Sequence, residues 1–284
     1  MLSFKKLQLY AQLMRLDKPI GIFLLLWPTL WGLWLANQGL PDKNILVIFV
    51  LGVLIMRSAG CVINDFVDRN FDLYVKRTQQ RPLATQQLKP YEALLLGTLL
   101  FCCGCVLLLF CHLQTILLAF VGGLIIPIYP FMKRFTHLPQ VGLGMAFAWG
   151  VPMAFAESQG VIPLSAWWVF LFAVIWTVMY DTLYAMVDRS DDLMIGIKST
   201  AILLGSWDKT CIGFMQLLLV GLLVQIRYSF ELSSNFYLCI FIVCLLFGYQ
   251  QWLIQAREPV HCFKAFLNNQ WVGFVIFVGI LLAQ

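Results

Sequence analysis

The nine residues Asn64-Asp65-Phe66-Val67-Asp68-Arg69-Asn70-Phe71-Asp72 set Asn64 and three aspartates directly behind a long apolar run. On a helix, Asn64, Asp65, Asp68 and Asp72 would share roughly one face, because helical neighbours recur every three to four residues. Like charges on one face repel, and a cation held between them is the obvious compensation. A second cluster, Asp181, Asp188, Asp191 and Asp192, also follows an apolar run, so half of the chain's 14 acidic residues gather at two points. A single charge run would be no more than the wet end of a membrane helix; two of them in so acid-poor a chain point to a site. Carboxylates suit Mg2+, which takes only one or two from a protein and fills its other positions with water and phosphate oxygens.

Basic residues lie close to both clusters. Lys133-Arg134 follows Tyr129-Pro130-Phe131-Met132, and the segment from Asp188 to Thr200 mixes acids, bases and hydroxyls. Such bases suit a phosphate, although Lys133-Arg134 by itself also reads as a topology signal. Acids and bases at a membrane surface fit a lipid-linked diphosphate, with its headgroup on metal and cations and its tail between helices. Arg57 lies deeper, about two turns before Asn64, and points the same way. A charge at that depth marks a functional site or a structural Arg whose head snorkels. The three histidines have no ligand spacing.

The elements that position these residues follow from composition. Of 284 residues, 61% are hydrophobic and 12% charged, with a mean hydropathy of +0.84; a soluble domain carries about a quarter charged residues. The fold class is therefore an all-α integral membrane protein, since spans of about 20 apolar residues cross the bilayer as helices. The pattern predicts nine spans, near 19–37, 44–64, 91–111, 114–131, 140–157, 163–184, 210–228, 236–254 and 269–283, in a single polytopic domain, 1–284. Residues 1–18 read as a basic amphipathic segment in the interface. The first span is too long for a signal peptide. The nine cysteines sit mostly within apolar runs, which argues against a disulfide framework.

Short cytoplasmic loops are enriched in Lys and Arg. With the N-terminus inside, only Lys43 and Arg227 of the 19 basic residues fall on the far side, and Arg57 lies within the second span. The same orientation brings both acidic clusters to the cytoplasmic face, after the second and sixth spans, where the loops near 65–90 and 185–209 would cap the bundle. The net charge of +5 thus reflects topology, and no basic tract suggests nucleic acid.

The first motif, Asn64-Asp-x-x-Asp68-x-x-x-Asp72, and the second, Asp188-x-x-x-Asp192, resemble the aspartate-rich motifs of the UbiA superfamily of intramembrane prenyltransferases. Further matches are Arg15-Leu-Asp-Lys-Pro-Ile-Gly21, Arg57-Ser-Ala-Gly-Cys-Val-Ile-Asn-Asp65, Lys76-Arg-Thr-x-x-Arg-Pro-Leu83, Tyr129-Pro-x-x-Lys-Arg134, Tyr180-Asp-Thr-x-Tyr-Ala-Met-Val-Asp188 and Ile195-Gly-Ile-Lys-Ser-Thr200. These are similar to the branch that prenylates 4-hydroxybenzoate on the way to ubiquinone. The resemblance implies a nine-helix bundle around a central, lipid-accessible cavity in a bacterial inner membrane. It also implies Mg2+-dependent transfer of a polyprenyl group from its diphosphate to the ring of 4-hydroxybenzoate, ortho to the hydroxyl. In that frame Asn64, Asp68, Asp72, Asp188 and Asp192 hold Mg2+, and Arg77, Lys133, Arg134 and Lys198 grip the diphosphate. Arg57 meets the 4-hydroxybenzoate carboxylate, and one of Asp65, Asp181 and Asp191 orients the acceptor or takes the ring proton. Two other readings remain: a relative with a different acceptor, and a cation- or proton-coupled transporter, which should instead hold its acids near the midplane on broken helices.

Overall fold

A computed structural model describes residues 4–284, with the side chains of Pro127 and Tyr129 outside the description. Every regular element among the described residues is helical: α1 (Phe4–Leu13), α2 (Ile20–Asn37), α3 (Lys43–Asp68), α4 (Pro90–Leu108), α5 (Leu113–Phe135), α6 (Pro139–Ala148), α7 (Gly150–Gln159), α8 (Leu164–Ile195), α9 (Thr200–Leu204), α10 (Asp208–Ser229), α11 (Phe236–Leu253) and α12 (Pro259–Ala283). Helix is the form in which an apolar segment satisfies its own backbone in a bilayer. Local chemistry sets several ends. The Asp42 side chain caps α3 by accepting from the backbone N–H of Asn44 at 2.8 Å and of Ile45 at 3.3 Å. Proline opens α4 and α12, where its missing N–H costs nothing. Gly196, at φ 72°, closes α8 in the left-handed conformation.

Among the described residues, eight helical segments are long and apolar enough to cross a membrane. The fifth expected span, 140–157, takes the form of two ten-residue helices, α6 and α7, end to end. Pro152 accounts for the break: it cannot donate to the carbonyl four residues earlier, and its ring crowds that carbonyl at Ala148. Two cap boundaries also differ from expectation. Helix α8 continues to Ile195, so Asp188, Asp191 and Asp192 ride on a helix rather than a loop. Helix α3 stops at Asp68, and Asp72 opens a separate 3-10 turn, Asp72–Tyr74. The four polar residues of the first motif therefore do not share one helical face.

The main core forms around α8, which packs on α2, α6, α7, α10 and α12. Trp31, Phe155, Phe172, Trp176 and Tyr180 are among its largest fully buried side chains. Both tryptophan N–H groups are satisfied inside: Trp176 Nε1 donates to Asn269 Oδ1 at 3.0 Å and Trp31 Nε1 to the Gly273 carbonyl at 3.2 Å. Gly144 lets α6 approach α8 so closely that a Cβ there would lie 2.9 Å from the Val174 carbonyl oxygen. A smaller core joins α1, α3, the segment before α4, and α4 through Leu13, Val62, Leu83, Leu88 and Ala93. Helix α1 spends part of its basic charge on the protein itself, with Lys6 Nζ 2.5 Å from Glu92 Oε1. Residues 1–3 of the expected 1–18 segment lie outside the described residues.

Candidate active site

The ends of α3, α5 and α8 and the segment after α3 converge at one face of the bundle. They enclose a polar chamber of about 160 Å3, with Asn64, Asp68 and Asp72 on one side and Asp188 and Asp192 on the other. The two acidic motifs, far apart in sequence, thus face one another. Through Asn64, Arg77, Arg81, Asp181 and Tyr184 the chamber joins a second, much larger cavity of about 1360 Å3. The larger cavity runs between α2, α3, α4, α5 and α7 past apolar residues such as Phe49, Met56, Leu108 and Phe120. It exceeds the ~300–1,000 Å3 of ordinary small-ligand pockets. A charged head and a long apolar tail can therefore be accommodated side by side.

Within the chamber, acids alternate with bases. Arg77 Nη2 lies 2.6 Å from Asp188 Oδ2, and its Nε donates to both Asp188 oxygens at 3.1 Å. The same guanidinium stacks over the Tyr184 ring at 4.5 Å. Lys133 pairs with Asp68 Oδ2, while the other oxygen, Asp68 Oδ1, is buried with no hydrogen-bond partner. Arg81 Nη1 sits between two carboxylates, 2.9 Å from Asp72 Oδ2 and 2.9 Å from Asp65 Oδ1. Asp65 is also held by Arg15, whose Nη2 donates to both of its oxygens at 2.8 Å.

Burial pushes the Asp72 carboxyl above the ordinary carboxylate range; Arg81 opposes the rise, and the charges of Asp65 and Asp68 add to it. For Arg77, burial works against the charge but is outweighed by Tyr184, Asp188 and Asp72, so its pKa stands above the usual value. Arg81 is likewise raised, because Asp65 and Asp72 overcome the cost of burial. Both arginines are fixed cations held beside partners that a phosphate could replace.

The remaining expected site residues divide into two groups. Arg57 lines the large cavity, with its guanidinium 5.5 Å from the Phe147 ring centre. A Cβ at Gly21 would lie 2.4 Å from Arg57 Nη2, so a larger residue there would displace the guanidinium from its present position. Asp181, about two helical turns before Asp188 on α8, lines both cavities. It lies within the electrostatic reach of Arg57 and Arg77, and Gln140 lines the same chamber. Lys198 lines the chamber, and its Nζ donates to the Phe135 carbonyl at 3.2 Å.

Arg134 and Asp191 line neither cavity. Arg134 donates to the Val67 carbonyl at 3.0 Å and stacks near Phe71 and Phe131. Asp191 accepts from the Lys76 backbone N–H at 3.0 Å, pinning the segment after α3 to α8.

Sequence reasoning gave no role to Arg15, Arg81, Gln140 or Tyr184. Arg81 carried a signal, since it follows Arg77 by four residues within a basic motif; the others become visible only through contacts across the fold. Outside the chamber, buried Asp208 receives Arg189 at 2.5 Å and Arg257 at 2.9 Å, tying α8 to the connection before α12.

The donor set fits a divalent cation supported by phosphate. No three His, Cys, Asp or Glu side chains among the described residues gather closely enough to hold a metal by themselves. Mg2+ asks for only one or two protein carboxylates, and the unpartnered Asp68 Oδ1 is a buried ligand atom with nothing else to bind.

Fold and site together define a polytopic helical membrane protein whose charged chamber adjoins a large, mainly apolar cavity. Its residues 25–278 match the UbiA prenyltransferase family, and the chain belongs to that family. It is 55% identical over 278 residues to the 4-hydroxybenzoate octaprenyltransferase of Vibrio cholerae serotype O1, covering 98% of each chain. It is also 55% identical over 280 residues to the enzyme of the same name from Nitrosococcus oceani, again over 98% of each. Among solved structures, a UbiA homolog from Aeropyrum pernix K1 superposes with a TM-score of 0.78 at 22% identity, over 92% of this chain and 97% of that one. A UbiA homolog from Archaeoglobus fulgidus bound to GPP and Mg2+ gives 0.74 at 15% identity, over 96% and 99%. These two likenesses establish the shared fold.

Proposed function

We propose that this chain transfers a polyprenyl group from polyprenyl diphosphate to 4-hydroxybenzoate, yielding 3-polyprenyl-4-hydroxybenzoate and diphosphate. The observation that carries the reading is the pair of facing aspartate clusters, interleaved with arginine and lysine, at the mouth of a cavity of about 1360 Å3. The 55% identity to named 4-hydroxybenzoate octaprenyltransferases selects this acceptor over others that similar aspartate motifs could serve.

Asp68, Asp72, Asp188 and Asp192, with Asn64, are the residues that would hold Mg2+. Bound there, the ion would supply positive charge to the diphosphate oxygens as the allylic C–O bond breaks. Arg77, Arg81 and Lys133 line the same chamber and donate to the leaving diphosphate. Charge grows on those oxygens towards the transition state, so fixed cations lower the barrier more than they tighten ground-state binding. Because each base is already paired with an acid, binding of head and metal exchanges partners without introducing unpaired charge. Arg134 and Asp191 take supporting parts in this scheme, holding the chamber's rim.

The apolar wall of the large cavity takes the tail and keeps water from the allylic cation. Arg57 holds the acceptor carboxylate. A C–C bond then forms ortho to the phenol hydroxyl, and the proton displaced from that ring carbon passes to Asp181, the carboxylate on α8 that lines both the chamber and the large cavity. The placement of bases in the sequence supports a bacterial inner-membrane location with the chamber on the cytoplasmic side.

Membranes containing the protein, incubated with 4-hydroxybenzoate, Mg2+ and prenyl diphosphates of several lengths, should yield ring-prenylated product by mass. Absence of such product with every donor would sink the reading.

A further inference from the structure

Asp65 is the most fully engaged carboxylate of the first motif. It is 1% exposed; Arg15 binds both of its oxygens, and Arg81 shares one of them. Neither oxygen is open to take a proton from a substrate. Its partners lead in two directions. Arg15 stands just past the end of α1 at φ 59°, a left-handed conformation uncommon for any residue but glycine. Its Nη1 turns back to the Gln12 carbonyl at 2.8 Å, so the guanidinium closes α1 while gripping α3. Helix α1 is fastened again at its other end, where Lys6 and Tyr10 both reach Glu92 at the start of α4. Between these fastenings Leu13 is fully buried against the smaller core. In the other direction, Arg81 joins Asp65 to Asp72 of the chamber.

Resting on the function proposed above, we infer that Asp65 is a positioning residue, and that α1 acts through it as a strap on the diphosphate chamber. Arg15 fixes Asp65, Asp65 fixes Arg81, and Arg81 is thereby kept over the chamber when Asp72 turns to a metal ion. Without Asp65, Arg81 would follow Asp72 or swing away, and the head would lose one of its cations. The motif thus has two sides. Asn64, Asp68 and Asp72 face the substrate head, and Asp65 faces the scaffold that aims Arg81.

The test uses the full chain in lipid nanodiscs, comparing wild type with Asp65→Asn, Arg15→Met and the double variant. Steady-state kinetics for each substrate, the pH profile of kcat and hydrogen exchange of the α1 amides are measured together. Losing a charge-assisted contact to Arg81 should raise the prenyl diphosphate KM by about tenfold or more in both single variants. The acceptor KM and the shape of the pH profile should hold, and α1 should exchange faster. The double variant should be no worse than Asp65→Asn, because both changes cut one chain of contacts. A collapse of kcat in Asp65→Asn with unchanged substrate KM and a protected α1 would make Asp65 the base and overturn the inference, as would an Arg15→Met enzyme indistinguishable from wild type. If Asp65→Asn fails to fold, Arg15→Met decides, since its side chain is partly exposed. A wild-type enzyme inert towards 4-hydroxybenzoate would count against the function, while the exchange of α1 would still report on the strap.

Discussion

Arg77 and Asp188 meet across the chamber at 2.6 Å, one on the segment after α3 and the other on α8. This contact ties the segment after α3 to the second acidic motif, and it places a bidentate donor where a diphosphate would lie. Arg77→Ala should therefore raise the prenyl diphosphate KM and lower kcat, with a combined loss of about 100-fold in kcat/KM, the scale on which single oxyanion donors act. Arg77→Lys should recover only part of it, because an ammonium lacks the guanidinium fork. Steady-state kinetics with each substrate varied in turn would check both. Equal activity in Arg77→Ala would remove Arg77 from the chemistry.

Asp72 predicts a conflict between stability and function. Its carboxyl is raised by burial despite Arg81, so ionisation is harder in the folded protein than in the unfolded chain. The contribution to stability is therefore present at pH values below the reference value of 3.8 and is lost as pH rises through the higher folded value. At neutral pH without Mg2+, Asp72→Asn should melt at a higher temperature than wild type, with the difference shrinking towards pH 4 and activity lost. A lower melting temperature at neutral pH would show that the pairing with Arg81 outweighs burial.

Arg57 separates the acceptor from the donor. Truncation to Ala removes a cation from the cavity wall and should cost about 1.5–3 kcal/mol of acceptor binding, the range for a hydrogen bond to a charged group. The 4-hydroxybenzoate KM should rise at least tenfold while the prenyl diphosphate KM stays within about threefold. The opposite order of effects would move the acceptor away from Arg57.

Gly52 addresses the tail. It lines the large cavity, and a Cβ built there meets nothing within 4 Å. Gly52→Phe can thus be carried by α3 without collision, while the ring occupies space meant for the donor chain. Relative to geranyl diphosphate, kcat/KM for long-chain donors should drop by at least tenfold, because each CH2 of the tail kept out of the cavity forfeits about 0.8 kcal/mol of burial. A uniform loss at all lengths would place the tail elsewhere.

Much of this arrangement was legible before any coordinates. The spacing of Asn64, Asp68, Asp188 and Asp192 and the distribution of Lys and Arg placed both clusters on one face. The reach of α8 past Asp188 was not, because hydropathy falls there although helix competence does not; no glycine or proline intervenes until Gly196. The interruption between α6 and α7 was readable at Pro152. Lys133 and Arg134 were assigned one role, yet adjacent helical residues point about 100° apart. One therefore reaches Asp68 in the chamber, and the other the outer end of α3. Arg15 and Arg81 found Asp65 through tertiary approach, which spacing along a chain does not encode.

The central claim is that Asp68 and Asp188, on opposite walls, hold Mg2+ on a prenyl diphosphate. Its most direct test is Mg2+-dependent prenylation of 4-hydroxybenzoate by purified wild type, Asp68→Asn and Asp188→Asn, each confirmed folded by its melting transition. Product should form in wild type only with Mg2+ and should fall by at least about 1,000-fold in both variants. Full turnover in either folded variant, or undiminished turnover by wild type in excess chelator, would contradict the claim.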